Sequence, residues 1–134
     1  METLLGKFEN YVAEHNICSH GDRILLAVSG GVDSMVMLSL FAQSGYRIGV
    51  AHCNFQLRGP EAEEDEQLVA ECAEKLGVPH YNIRFDTLRE MERTGESVQM
   101  AARRLRYDWF DSLCDEHGYT HIAIAHHGGD SVET

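Results

Sequence analysis

The chain contains few of the residues that would indicate a specialised architecture. Of its 134 residues only two are proline and four are cysteine, and 11 basic side chains stand against 22 acidic ones. A formal net charge of −11 disfavours unassisted nucleic-acid binding, because most of that affinity comes from neutralising phosphates. No apolar run approaches the length of a membrane span, and the acidic N-terminus is not a secretory signal. We therefore expect a cytoplasmic globular protein with no membrane association.

Several common cofactor motifs are also missing. The four cysteines are widely spaced and form no CxxC pair, which argues against a zinc site and against a redox-active pair. The sequence has no GxGxxG, and its only Gly-Lys pair is followed by Phe8, so it has no GxxxxGK[ST] loop. The two commonest phosphate-binding loops are thereby excluded.

The sequence does have short apolar runs that alternate with helical patterns. Runs typical of buried parallel strands cover residues 23–28, 46–52, 80–85 and 119–125. Helical periodicity covers about the first 16 residues, the segment from the first glycine turn to about residue 43, the acidic segment 61–76 and a long segment before Gly118. Such alternation implies right-handed crossovers. We predict an α/β fold: a Rossmann-like parallel sheet with helices on both faces.

Three finer expectations concern the organisation of the chain. We assign residues 1–20 to an N-terminal helix and 21–134 to one domain, in which a polar segment through Gly95 precedes the long helix. In the acidic helix, Leu68, Val69, Cys72 and Leu76 are predicted to form the buried stripe. Residues 130–134 resemble the first turn of a helix that does not develop, with a capping-box spacing. We therefore interpret the fold as C-terminally incomplete.

The most informative segment follows the first predicted strand and reads Ser29-Gly30-Gly31-Val32-Asp33-Ser34. Two adjacent glycines permit a tight turn, and the helix that follows supplies unpaired N–H groups and the positive end of its dipole. The turn therefore predicts a phosphate site. The alternative is an ordinary strand-to-helix turn in which Asp33 or Ser34 only caps the helix.

Ligands of a doubly wound sheet lie beyond the carboxyl ends of its strands. This rule gathers residues 29–34, residues 52–59, the turn after Phe85 and residues 126–133. Asp33 would hold Mg²⁺ or orient an acceptor amine, and Asp130 would be a second carboxylate, although each could simply cap a helix. A metal site built from His52, His126 and His127 is disfavoured, because adjacent strand residues point to opposite faces.

Three arginines on the long predicted helix leave two interpretations open. Arg103 and Arg106 share a helix face, whereas Arg104 points away from them. They could be surface residues paired with Asp108 or Glu96. Otherwise they would contact phosphate or RNA, because the guanidinium fork matches phosphate oxygens.

Four sequence blocks carry a family resemblance. SGGVDS matches SGGxDS, the pyrophosphate-binding loop of the N-type ATP pyrophosphatases. AHCNFQLRGPEAEEDE, ESVQMAARRLRYDWF and HHGGDSVET follow it in order. Together the four blocks resemble the N-terminal catalytic domain of the bacterial tRNA(Ile)-lysidine synthetase family.

The resemblance implies a reaction and its partners. Enzymes of this family adenylate the C2 carbonyl oxygen of the wobble cytidine in the tRNA(Ile) that has a CAU anticodon. The ε-amine of L-lysine then attacks C2 and expels AMP. ATP and Mg²⁺ would be the cofactors and tRNA(Ile) the partner, held mainly by further domains, and a homodimer is compatible with the resemblance.

The resemblance also assigns residues. It makes Asp33, Asp130 and Arg104 catalytic, with Asp33 as a Mg²⁺ ligand. The nucleotide would be bound by the whole loop together with three further residues, namely Ser29, Gly30, Gly31, Val32, Asp33, Ser34, His52, Arg58 and His126. The chain departs from the family pattern at Gly129, where an Asp is usual, and at Ala62, where a Ser is usual.

Two other functions compete with this interpretation. An ATP pyrophosphatase of the RNA-thiolation type shares the SGGxDS loop but depends on CxxC pairs, which this chain lacks. A non-catalytic ATP-binding module on a similar scaffold would bind the nucleotide without needing Asp33 or Asp130 for turnover.

Overall fold

A computed structural model describes residues 3–125 and the backbone of residues 132–133. The helices and strands alternate along most of the chain: α1 (Leu4–Glu14), β1 (Arg23–Ala27), α2 (Val32–Gln43), β2 (Arg47–Asn54), α3 (Pro60–Leu76), β3 (His80–Arg84), α4 (Thr87–Thr94), α5 (Val98–His117), β4 (His121–Ile124) and β5 (Val132–Glu133). No helix in these ranges combines the length and apolarity needed to cross a membrane.

The strands form one sheet in the order β3-β2-β1-β4-β5. β1 pairs in parallel with both β2 and β4, so the chain reverses its direction of sheet growth at β1. β3 extends the parallel sheet beyond β2. The predicted parallel sheet is confirmed, and the end of β1 is the point where this fold class binds ligands.

Alternate residues of the strands face two separate cores. Ile24 and Leu26 contribute to one core, which includes Phe41 of α2 and Val69 of α3. Leu25 faces the other core, which contains Phe110 and Leu113 of α5 together with Ala51 and Ile124. Helices therefore cover both faces of the sheet, as predicted. Phe8 of α1 packs edge-on against Phe41, with ring centroids 4.9 Å apart.

The polar segment through Gly95, for which no helix was predicted, contains the helix α4. Asp86 caps this helix by accepting a 3.3 Å hydrogen bond from the Arg89 N–H. Glu90 and Arg93 form an ion pair one turn apart, and Gly95 ends the helix in a left-handed conformation. The hydrophobic pattern missed α4 because capping and ion pairs, rather than a buried stripe, define it.

The predicted buried stripe of α3 is wrong at two positions. Leu68 and Leu76 are exposed, while Val69 and Ala73 are fully buried against the sheet. The side chain of Glu66 helps to fix this rotation, because it accepts hydrogen bonds from Arg84 and Asn82 of β3 at 2.7–3.0 Å. These donors, with Arg84 first, lower the pKa of Glu66 to about 2.

The expected helical turn at the end of the chain is also wrong where the structure describes it. Val132 and Glu133 form β5, which pairs antiparallel with Ala123 and Ile122 of β4. The outer edge of β4 offers unpaired backbone groups, and an extended segment satisfies them where a helical turn would not. Asp130, which would have capped the turn, lies outside the described residues.

Candidate nucleotide site

The predicted phosphate loop connects β1 to α2 and is organised by the hydroxyl of Ser34. This side chain is only 5% exposed. Its Oγ accepts hydrogen bonds from the N–H groups of Ser29 and Gly30, both at 3.2 Å, and donates to the Gly31 carbonyl at 2.9 Å. The hydroxyl that we expected to hold pyrophosphate therefore holds the loop in its curved form, and a contact with phosphate stays a prediction.

The backbone of Gly30 requires glycine. Its φ angle is +95°, and a Cβ at this position would lie 2.9 Å from the Asp65 Cβ. The loop therefore lies directly against α3, in a conformation that other residues adopt only under strain. Asp65 belongs to the acidic segment 61–76, which forms most of α3. Its close approach to Gly30 and its place in the lining of the cavity that begins at Ser29 identify it as part of the site.

Asp33 lies in the first turn of α2, and its carboxylate is exposed and has no bonding partner among the described residues. Gly31 is the N-cap of the helix and makes no side-chain capping bond. Asp33 forms no hydrogen bond or ion pair with any residue of the described ranges. The alternative in which Asp33 or Ser34 only caps the helix therefore does not account for the exposed carboxylate of Asp33 or for the loop bonds of Ser34. The carboxylate is accessible beside the first N–H groups of α2, which have no helical partners.

One carboxylate here fits Mg²⁺ bound together with a nucleotide. Mg²⁺ is commonly held by one or two carboxylates, substrate phosphate oxygens and water, rather than by an all-protein cage. No group of three His, Cys, Asp or Glu side chains suited to a metal occurs within the described residues. Asp33 would therefore need the phosphates of a nucleotide to complete the coordination.

His52 and Arg58 line a cavity of about 200 Å³ that begins at Ser29. His52 is buried, and its Nδ1 donates a 2.7 Å hydrogen bond to the Val28 carbonyl, which can only accept. Arg58 is exposed and forms an ion pair with Glu61 at 2.8 Å. Because exposed ion pairs contribute little, Arg58 can readily bind a ligand instead.

A second cavity, of about 210 Å³, lies on the α5 side of the loop. Its lining includes Ser29 and Ser34 of the loop and Arg106 and Phe110 of α5. The Nε of Arg106 is buried without a hydrogen-bond partner among the described residues. An unpaired buried donor beside a phosphate loop favours the phosphate-contact interpretation of this arginine.

Arg104 lies among acidic partners instead. Its guanidinium donates to Glu96 at 2.8 Å and to Glu90 of α4 at 2.9 Å, so it ties α4 to α5. The pairing with Glu96 that the sequence offered as an alternative is present. Both carboxylates have lowered pKa values, and the pKa of Glu90 is about 2, chiefly because of hydrogen bonds from Arg93 and Arg104. A catalytic role for Arg104 stays a prediction.

We expect Arg104→Gln to act first on stability. A carboxylate whose pKa falls on folding stabilises the protein above its unfolded pKa, near 4.5, and that contribution is lost as the pH falls towards 2. Removing Arg104 should therefore lower the melting temperature at pH 7 and reduce the loss of stability between pH 4.5 and 2. Thermal unfolding followed by circular dichroism across this range measures both effects.

Arg106→Gln is the matched control on the same helix. It should leave the acid dependence unchanged, because Arg106 forms no ion pair with a described residue, and it should weaken ATP binding. An unchanged melting temperature in Arg104→Gln, accompanied by loss of turnover, would contradict the stabilising role and support the catalytic one.

Cys53 borders both cavities but is not a reactive thiol. Burial raises its pKa to about 12, so the sulfur stays protonated at neutral pH. Because the thiolate is the nucleophilic form, this residue is poorly suited to carry sulfur in an RNA-thiolation reaction.

Two predicted site residues, His126 and Asp130, lie outside the described residues, as does the unusual Gly129. Ala62, the other departure from the family pattern, lines the cavity that contains His52 and Arg58. The described structure therefore brings together the phosphate loop, His52 and Arg58, and it leaves Arg104 on the α4 side of α5.

Comparisons with known proteins agree with this geometry. The chain is 44% identical to the tRNA(Ile)-lysidine synthase of Chlorobaculum tepidum over 96% of its length, which covers 40% of that protein. It is 41% identical to the tRNA(Ile)-lysidine synthase of Porphyromonas gingivalis over 98% of its length, which covers 29% of that protein. The chain thus spans well under half the length of these curated relatives.

A solved structure and a domain family complete the comparison. The NH3-dependent NAD synthetase of Campylobacter jejuni aligns with a TM-score of 0.67 at 14% identity, over 88% of this chain and 53% of that one. This likeness concerns the fold alone. The PP-loop domain family matches residues 2–134. With the SGGVDS turn at the end of β1 and a parallel sheet around it, the chain belongs to the PP-loop domain family.

Proposed function

We propose that this chain is the ATP-using part of an enzyme that converts the wobble cytidine of tRNA(Ile) to lysidine. One observation carries the proposal: a phosphate loop with a free carboxylate, Asp33, occurs in a chain more than 40% identical to proteins named tRNA(Ile)-lysidine synthase. The enzyme would be a ligase that forms a carbon–nitrogen bond, with ATP, L-lysine and the tRNA as substrates.

In the first step the loop would hold the phosphates of ATP at the start of α2. The C2 carbonyl oxygen of the cytidine attacks the α-phosphorus, the bond to the bridging oxygen breaks, and pyrophosphate leaves. The first N–H groups of α2 and the guanidinium of Arg106 can stabilise the charge that develops on the phosphates. Mg²⁺, when bound through Asp33, would neutralise part of the same charge.

In the second step the lysine ε-amine attacks C2, and the bond between C2 and the AMP oxygen breaks. An amine with a pKa near 10.4 is almost fully protonated at pH 7, and deprotonating it costs about 4–5 kcal/mol. A carboxylate beside the nucleophile can accept this proton. Asp130, the second predicted carboxylate, would accept it when Asp33 holds Mg²⁺, and otherwise the exposed Asp33 would take this role.

The test uses the full-length gene product that carries this chain. It is incubated with a tRNA(Ile) transcript that has a CAU anticodon, ATP, Mg²⁺ and radiolabelled lysine. We expect ATP-dependent transfer of label to the tRNA, and no transfer when the wobble cytidine is replaced by uridine. ATP binding without any transfer of lysine would contradict lysidine formation and leave only the nucleotide site.

A further inference from the structure

Phe55 occupies an unusual position between the two cavities of the site. It follows β2 directly and lines both the cavity with Arg58 and the cavity with Arg106. Its ring stacks on Phe85 with centroids 5.6 Å apart and an angle of 22° between the planes. Phe85 in turn packs edge-on against Trp109 of α5, at 6.4 Å. The three rings form an aromatic row that ends at the cavities.

The backbone around Phe55 is held on both sides. Its carbonyl accepts a 2.8 Å hydrogen bond from the hydroxyl of Thr87, a buried residue at the start of α4. The next residue, Gln56, has a positive φ of 56° and bonds through its side chain to the Phe85 carbonyl at 2.9 Å. An aromatic ring is therefore presented to the site by a fixed support, rather than by a free loop.

The side of the site next to α5 has cationic and aromatic side chains of the kinds that bind RNA. Arg103 and Arg106 both place their guanidinium groups about 5 Å from the Tyr107 ring, at 4.9 and 5.2 Å. Neither arginine forms an ion pair with a described residue, in a chain of net charge −11. Aromatic rings that stack single-stranded bases, beside cations that meet the backbone, are the usual elements of single-strand recognition.

We propose that Phe55 is the stacking platform for the acceptor nucleobase, a pyrimidine that enters the α5-side cavity from a single-stranded RNA loop. The inference rests on the proposed function and names a specificity residue for it. The base would lie against the ring of Phe55, next to the loop that holds the α-phosphate. Exposed Arg103 would contact the RNA backbone outside the cavity.

The experiment measures binding and turnover separately in the full-length gene product. An anticodon stem-loop carries a fluorescent cytidine analogue at the acceptor position, and stacking on an aromatic ring quenches its emission. Phe55→Leu should abolish the quenching and raise the KM for RNA about fivefold to a hundredfold, with the ATP dissociation constant unchanged. Phe55→Trp should retain both quenching and affinity.

Phe85→Leu is the matched control, since it shortens the aromatic row but lines neither cavity. It should lower the melting temperature and leave much of the quenching in place. The proposal is overturned if Phe55→Leu weakens ATP binding instead of RNA binding, because the ring would then serve the adenine. Undiminished quenching in Phe55→Leu would also overturn it. If wild type quenches the analogue but transfers no lysine, the platform stands and the proposed function fails.

Discussion

Asp33→Asn is expected to lower lysine transfer to tRNA on the order of a hundredfold or more, with little change in the melting temperature. The substitution keeps the shape of the side chain and removes the charge that would either bind Mg²⁺ or accept the proton of the amine. Stability should be retained because Asp33 is exposed and makes no bond to a described residue. Single-turnover kinetics and thermal unfolding of the full-length protein provide the two measurements.

Asp86→Asn is the matched control for this prediction. Asp86 also lies at the start of a helix, but its side chain accepts a capping hydrogen bond from the Arg89 N–H. Its substitution should change stability slightly and leave single-turnover kinetics close to wild type. If Asp33→Asn behaved like Asp86→Asn, Asp33 would have no catalytic role, and its assignment as Mg²⁺ ligand or proton acceptor would be wrong.

Gly30→Ala is expected to weaken ATP binding about tenfold to a hundredfold. Alanine at a φ of +95° costs about 1–3 kcal/mol in backbone strain, and its methyl group would lie 2.9 Å from the Asp65 Cβ. The strain and the close contact can be relieved only if the loop moves away from α3. The N–H groups that face the phosphates would then lose their arrangement. Isothermal titration calorimetry with ATP and Mg²⁺ measures the effect directly.

The control for backbone strain is Gly45→Ala, in the turn that follows α2. Gly45 has a φ of +78°, and a Cβ there would meet no atom within 4 Å. This variant should lose stability through the same kind of strain while keeping its affinity for ATP. Equal losses of affinity in Gly30→Ala and Gly45→Ala would show that strain anywhere in the fold reaches the site, and would contradict a local role for Gly30.

Much of the fold could be predicted because a buried strand can be recognised from its own run of apolar residues. After an exposed first residue, β1 and β2 are buried at nearly every position, as expected for strands covered on both faces. The rotation of α3 could not be predicted from its leucines, because Glu66 bonds to Arg84 and Asn82, which are distant in sequence. The helix α4 was missed because it contains few apolar residues, and its cap and ion pairs give no hydrophobic signal.

The candidate site also contains residues that could be predicted from the sequence and residues that could not. The loop from Ser29 to Ser34 was identified because two adjacent glycines between a strand and a helix indicate a tight turn without reference to the rest of the fold. Spacing placed Arg104 and Arg106 on different faces of the helix but could not tell which face meets the loop, since the orientation of α5 depends on the packing of Phe110 and Leu113. The segment 52–59 was placed at the site, but Phe55 was not singled out in it, because the second strand was expected to end at His52. In the structure β2 continues to Asn54 and delivers Phe55 to the site.

The central claim is that the phosphate loop cleaves ATP between its α- and β-phosphates to activate a cytidine for attack by lysine. The most direct measurement follows ATP labelled at the α-phosphate and lysine with a second label in the same reaction of the full-length protein. The account predicts one AMP formed for each lysine transferred, with neither product when the tRNA is omitted. Release of ADP, or AMP formation independent of the tRNA and of lysine transfer, would contradict it.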